Sequence, residues 1–76
     1  MRDLVEFLAR SLVDDPGKVR VEELEEDGDI VLEITVAEDD IGRVIGRGGR
    51  IANAIRTLAK AAAIREDRRV IVEILE

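Results

Sequence analysis

The residues of this 76-residue chain best placed to do chemistry are Gly46, Arg47, Gly48, Gly49 and Arg50. Three glycines in four positions make a loop that another backbone can approach closely, because no Cβ stands in the way. Gly46 and Gly49 are expected to take φ > 0 where the chain reverses. The amide N–H groups of such a loop, and of the first turn of the helix after it, lack intrahelical partners. With the positive end of the helix dipole behind them they suit a phosphate. Arg47 and Arg50 flank this site and can add charge-assisted hydrogen bonds. The same glycines would also serve a plain tight corner between two helices. Neither G-x-G-x-x-G nor G-x-x-x-x-G-K-[ST] occurs, so the familiar nucleotide-phosphate loops are absent.

Catalysis has little to work with. Histidine, cysteine, tyrosine, tryptophan and glutamine are missing, and no histidine exists to activate the hydroxyls Ser11, Thr35 and Thr57. The acids read as a solvated surface, and no enzyme, cofactor or metal site is expected. The net charge of −6 opposes binding to a polyanion, but its distribution does not. Eight basic residues against two acids give the stretch from Arg43 to Arg69 a net +6, and leave −12 on the remainder. A polyanion responds to the field within a Debye length of about 8 Å, not to the total. The longest unbroken apolar run is four residues, Ala61 to Ile64, far short of a membrane span, and a cytoplasmic location is expected.

These residues must be held by a small α+β frame with the order α-β-β-α-α-β. The first helix is expected to be capped by Asp3 with Glu6 three residues on, burying Leu4, Val5, Leu8 and Leu12 with Phe7 at the border of the core. Asp14-Asp15-Pro16-Gly17 ends it. Val19 to Leu24 and Ile30 to Val36 read as strands, joined by a tight turn at Asp27-Gly28. Glu38, Asp39 and Asp40 open a short helix that Gly46 stops. A long helix follows from about Arg50 to Arg65, with Ile51, Ala54, Ile55, Leu58 and Ala62 on its buried face. Arg69 to Leu75 closes the chain as a strand.

The run Val44-Ile45-Gly46-Arg47-Gly48-Gly49-Arg50-Ile51, followed by Ile55, resembles the signature of a KH domain. The element order matches the type II arrangement: a three-stranded mixed sheet with three helices packed on one face. The resemblance extends from Met1 to Glu76, as one KH domain of the small bacterial single-KH proteins of the KhpA (YlqC) family. It rests on Leu4-Val5-Glu6, Ser11-Leu12-Val13-Asp14 and Val19-Arg20-Val21-Glu22-Glu23 in the first half. In the centre it rests on Ile41-Gly42-Arg43-Val44-Ile45-Gly46, Arg50-Ile51-Ala52 and Ala54-Ile55-Arg56-Thr57. One departure is the pair Arg47-Gly48, since the second variable loop position of this family usually carries a side chain. The resemblance implies a GXXG loop that clamps the backbone of four unpaired nucleotides. Gly46, Arg47, Gly48, Gly49, Arg50 and Arg43 would then meet single-stranded RNA, with Ile41, Ile45 and Ile51 near an apolar groove floor.

The resemblance also implies a homodimer or pairing with KhpB (Jag, EloR), and a role as post-transcriptional regulator or RNA chaperone tied to cell elongation and shape. A smooth face at Ala59, Ala61, Ala62, Ala63 and Ile64 is the candidate dimer contact, although alanine there also serves as a strong helix former. Arg56, Lys60, Arg65, Arg68 and Arg69 extend the positive surface or are simply solvated. Competing readings are a protein-interaction module with little RNA binding, a single-stranded DNA binder, and a helix-turn-helix, which the flanking strands and the glycines of the turn disfavour.

Overall fold

The computed structural model describes residues 1–75. Its elements are α1 (Arg2–Leu12), β1 (Arg20–Glu26), β2 (Asp29–Thr35), α2 (Glu38–Arg65) and β3 (Val70–Leu75), with a 3-10 turn at Pro16–Lys18. The strands form one mixed sheet in the order β1-β2-β3, with β1 antiparallel and β3 parallel to β2. The hairpin between β1 and β2 turns on Asp27 (φ 52°) and Gly28 (φ 85°), the paired left-handed residues that a two-residue turn demands.

Alternation in β2 sets the core. Ile30, Leu32 and Ile34 point to one face, where Val21 of β1 and Val70 and Val72 of β3 join them. Both helices contribute to the same cluster, α1 through Val5 and Ala9, α2 through Val44, Ala52, Ile55, Ala59 and Ala63. The opposite face carries Leu24, Val31 and Ile71 in one cross-strand row and Glu22, Glu33 and Glu73 in the next. Val31 is nonetheless buried, because it is flanked on both sides in the central strand.

Leu4 and Leu12, expected on the buried face of α1, are exposed, and only Val5 and Ala9 of that helix are fully buried. Three further expectations need correction. Met1, not Asp3, stands at the N-cap of α1, and no side chain caps it. Glu6 instead lies between Arg2 (2.8 Å) and Arg10 (2.9 Å), each four residues away. Arg2 also donates to the Val21 carbonyl at 2.9 Å, fastening α1 to β1 and occupying an edge-strand acceptor. Phe7 is 68% exposed and not part of the core. Two residues from both Val5 and Ala9, it lies about 160° round the helix from them.

The third correction concerns α2. Its apolar residues cover more than one stripe, so two helical registers fit the spacing. The structure buries Ala52, Ile55, Ala59 and Ala63 and leaves Ala54 and Leu58 exposed. Small residues on the buried stripe bring the helix backbone close to the sheet. The 28 residues of α2 are not one continuous helix, since the backbone leaves helical geometry at Gly46, Arg47, Gly48 and Gly49 and divides the segment into two helical arms. The short and long helices read from the sequence are the two arms on either side of that break. No helix among the described residues is long and apolar enough to cross a membrane.

Candidate nucleic-acid interface

The first arm of α2 is anchored by a carboxylate. Glu38, Asp39 and Asp40 occupy its first turn, where negative charge complements the dipole. Asp40 is 2% exposed, and its two oxygens accept the backbone N–H of Asp14 and of Asp15 at 3.0 Å each. This ties the exit of α1 to the arm that carries the glycine loop. The second arm is anchored by the alanine stripe on the sheet. Between these fixed arms the chain reverses.

The reversal uses three consecutive left-handed residues: Arg47 (φ 53°), Gly48 (φ 72°) and Gly49 (φ 73°). Gly46 does not join them; at φ −66° and ψ 172° it is extended, contrary to expectation. At φ 72° Gly48 takes the left-handed conformation without the penalty a Cβ would carry, while Arg47 beside it adopts the same region with a side chain. The Asn53 side-chain amide donates to the Gly48 carbonyl at 3.4 Å and accepts from Arg56 at 3.3 Å, which steadies the loop from the second arm. Arg47 and Gly48 are exposed, and Gly46 and Gly49 half-buried. The corner therefore faces outward.

Two clefts flank the first arm. A cleft of about 420 Å³ is lined by Asp14, Asp39, Gly42, Arg43, Gly46, Arg47, Arg50 and Ile51. A more apolar one of about 570 Å³ is lined by Thr35, Val36, Glu38, Ile41, Gly42 and Leu75. Gly42 belongs to both, so it forms the ridge between them. Sequence reasoning passed over this residue, although an isolated glycine in a helical pattern was a visible signal. Gly42 has helical geometry, and a Cβ built on it meets nothing within 4 Å. The same space surrounds Gly46. Neither glycine is required by backbone conformation or by packing.

The expected site residues separate into groups. Arg43, Gly46, Arg47 and Arg50 share the charged cleft with Ile51, while Ile45 stands exposed beside the loop and Ile41 lines the apolar cleft. Ile41 and Ile51 also pack against the core. Among the described residues, Arg43 pairs with Asp14 and Asp40, Arg68 with Glu25 and Arg69 with Asp29. Arg47, Arg50, Lys60 and Arg65 make no ion pair within the same set. Arg56, Lys60 and Arg69 line a further groove against Val70, Ile71 and Val72 of β3. In the candidate dimer face, Ala59 and Ala63 lie inside the domain's own core and cannot meet a partner. Ala61 and Ile64 are exposed and Ala62 half-buried.

The family model described as KhpA/KhpB, KH domain, matches residues 2–74. The RNA-binding protein KhpA of Clostridium acetobutylicum is 53% identical over 75 residues, covering 99% of this chain and 100% of the relative. That of Caldanaerobacter subterraneus subsp. tengcongensis is also 53% identical over 75 residues, with the same coverage. The Aquifex aeolicus protein of that name is 45% identical over 76 residues, covering 100% of this chain and 96% of the relative. No solved structure matches the chain. A family of KH domains is not a family of enzymes, in keeping with a chain that lacks histidine and cysteine. On a match that spans nearly every residue, the chain belongs to the KhpA/KhpB KH-domain family.

Proposed function

We propose that this chain, acting as one KH unit over residues 1–76, binds single-stranded RNA by seating backbone phosphate on the loop Gly46-Arg47-Gly48-Gly49. Arg50 and Arg43 complete the charge contacts, and bases pass exposed Ile45 into the apolar cleft at Ile41 and Leu75 across the Gly42 ridge. The observation that carries this reading is the pair Gly42 and Gly46. The fold does not need glycine at either place, and both face the clefts. Gly42 even costs helix stability, by about 1 kcal/mol relative to alanine. Close approach of an external chain accounts for both. The names of the relatives, RNA-binding protein KhpA, support the same ligand class.

The only aromatic residue, Phe7, sits on α1 and not in the clefts. Without the roughly 1–3 kcal/mol per base that aromatic stacking supplies, one copy binds weakly and with little sequence preference. Two linked copies gain avidity. Exposed Ile64, Ala61 and Leu58 on the second arm of α2 suit self-pairing or pairing with a KhpB-type protein. Such a dimer acts in the cytoplasm as a post-transcriptional regulator or RNA chaperone.

The test is Arg47→Asp with Gly48→Asp. Aspartate tolerates the left-handed region better than most residues, so the strain added at Gly48 stays small and local to an exposed loop. Added negative charge then repels phosphate. Binding to a labelled single-stranded RNA should vanish with the melting temperature nearly unchanged. Wild-type affinity in that variant would refute the loop clamp. For contacts from Arg43, Arg47 and Arg50, log K against log salt should fall with a slope of about −2. A flat response contradicts phosphate recognition.

A further inference from the structure

Arg43 enters the charged cleft already engaged. One guanidinium nitrogen, Nη2, lies 2.8 Å from Asp14 Oδ2, and Nε lies 4.0 Å from Asp40 Oδ1. Asp40 has a structural task, since both its oxygens accept backbone N–H groups. The Asp14 carboxylate has none. Its side chain is 74% exposed, and among the described residues its only partner is Arg43. Asp14 is nevertheless held in place, because its own backbone N–H is bound by Asp40.

We infer that Asp14 sets the affinity of the loop cleft by competing with the ligand's phosphate for Arg43. This rests on the RNA-binding reading above and goes beyond it. A carboxylate and a phosphodiester offer the same acceptor chemistry to a guanidinium. The two cannot occupy the same face of Arg43 at once, so binding gains only the difference between the two pairings. The internal pair is exposed and therefore weak. Phosphate displaces it, but part of the attraction of Arg43 is spent in doing so. Asp39 adds a second carboxylate to the same cleft. In this way a chain with net charge −6 releases RNA readily while keeping arginines at the loop.

The experiment is a double-mutant cycle on Asp14→Asn and Arg43→Gln, with dissociation constants measured on one fluorescein-labelled single-stranded RNA at low salt. Neither substitution touches the backbone bonds to Asp40, and melting curves check that the fold is kept. Asp14→Asn should bind about two- to five-fold tighter than the unmodified chain, the equivalent of one exposed ion pair. In the Arg43→Gln background the same substitution should change little. An unchanged constant in Asp14→Asn overturns the inference. So does an equal gain in both backgrounds, which would mark a general charge effect. Should the unmodified chain and the loop double aspartate bind alike, the phosphate clamp fails and this inference falls with it.

Discussion

Replacing Gly42 by alanine separates stability from binding more sharply than any other single change. Gly42 is exposed and helical, and beyond its chain neighbours and the helix's own backbone no atom lies within 4 Å of a built Cβ. The substitution therefore carries no steric penalty in the free chain and recovers about 1 kcal/mol of helix propensity. For a domain of this size that raises the melting temperature by about 4–8 °C. The new methyl stands on the ridge shared by the charged and apolar clefts. If a nucleotide chain crosses that ridge in van der Waals contact, the misfit costs about 1–3 kcal/mol, as overpacking does elsewhere. That is about five- to 150-fold in the dissociation constant. Thermal melting by circular dichroism and fluorescence polarisation on a labelled single-stranded RNA read the two effects on one sample. A chain that is stabilised and binds as before shows that no ligand crosses the ridge. A destabilised chain shows that the helical, uncrowded geometry of Gly42 is wrong.

Other perturbations probe the supporting structure. Asp40→Ala leaves the Asp14 and Asp15 N–H groups without their acceptor, and should cost about 2 kcal/mol in denaturant unfolding. A loss below about 0.5 kcal/mol would mean that the latch between α1 and α2 is not holding the arm. Ile64→Glu places charge on the most exposed large apolar side chain of the domain, at 75% exposure. If the proposed dimer forms through this arm, light scattering at micromolar concentration should move from dimer to monomer while the circular dichroism spectrum of the fold is kept. A dimer that persists removes the second arm of α2 from the interface. The double aspartate of the loop and the Asp14–Arg43 cycle complete the set, through lost binding in one and tightened binding in the other.

The hairpin of β1 and β2 was legible because Ile30, Leu32 and Ile34 recur at every second residue and because Asp27-Gly28 favours a tight turn, whereas the mixed sheet with its parallel β3 followed only from the family resemblance. The loop was legible from its glycines and arginines. The error along α2 has a plain physical source: periodicity says that a helix has an apolar face, not which of two adjacent stripes is buried. Along α2, Leu58 and Ala59 are neighbours about 100° apart. Packing against the sheet favoured the smaller one, which hydrophobicity alone ranks lower. The same preference took Ala59 and Ala63 out of the candidate dimer face. Phe7 was assigned inward on hydrophobicity, yet the position of Val5 and Ala9 places it outward. Glu6 was read as a cap because it stands three residues after Asp3, although its i,i+4 partners Arg2 and Arg10 were visible in the sequence; only the bond from Arg2 to the Val21 carbonyl is tertiary. The role of Asp40 was equally out of reach, since its partners lie 25 and 26 residues away.

Charge segregation gives the fold a direction. Glu22, Glu33 and Glu73 stand in register across the three strands on the face away from the core cluster, and none of them makes an ion pair among the described residues. Like charges directly opposite on a sheet are destabilising. The row therefore lowers stability locally while keeping polyanions off the uncovered sheet face. On the helix side, Arg47, Arg50, Lys60 and Arg65 keep their charge unpaired by carboxylates within the described residues, whereas Arg68 and Arg69 are neutralised by Glu25 and Asp29 near the hairpin. At a Debye length of about 8 Å the two faces of so small a domain are screened from each other. A phosphate chain thus meets repulsion from one side and attraction from the other. On the proposed reading, approach is favoured on the side that presents the loop, even though the whole molecule is acidic.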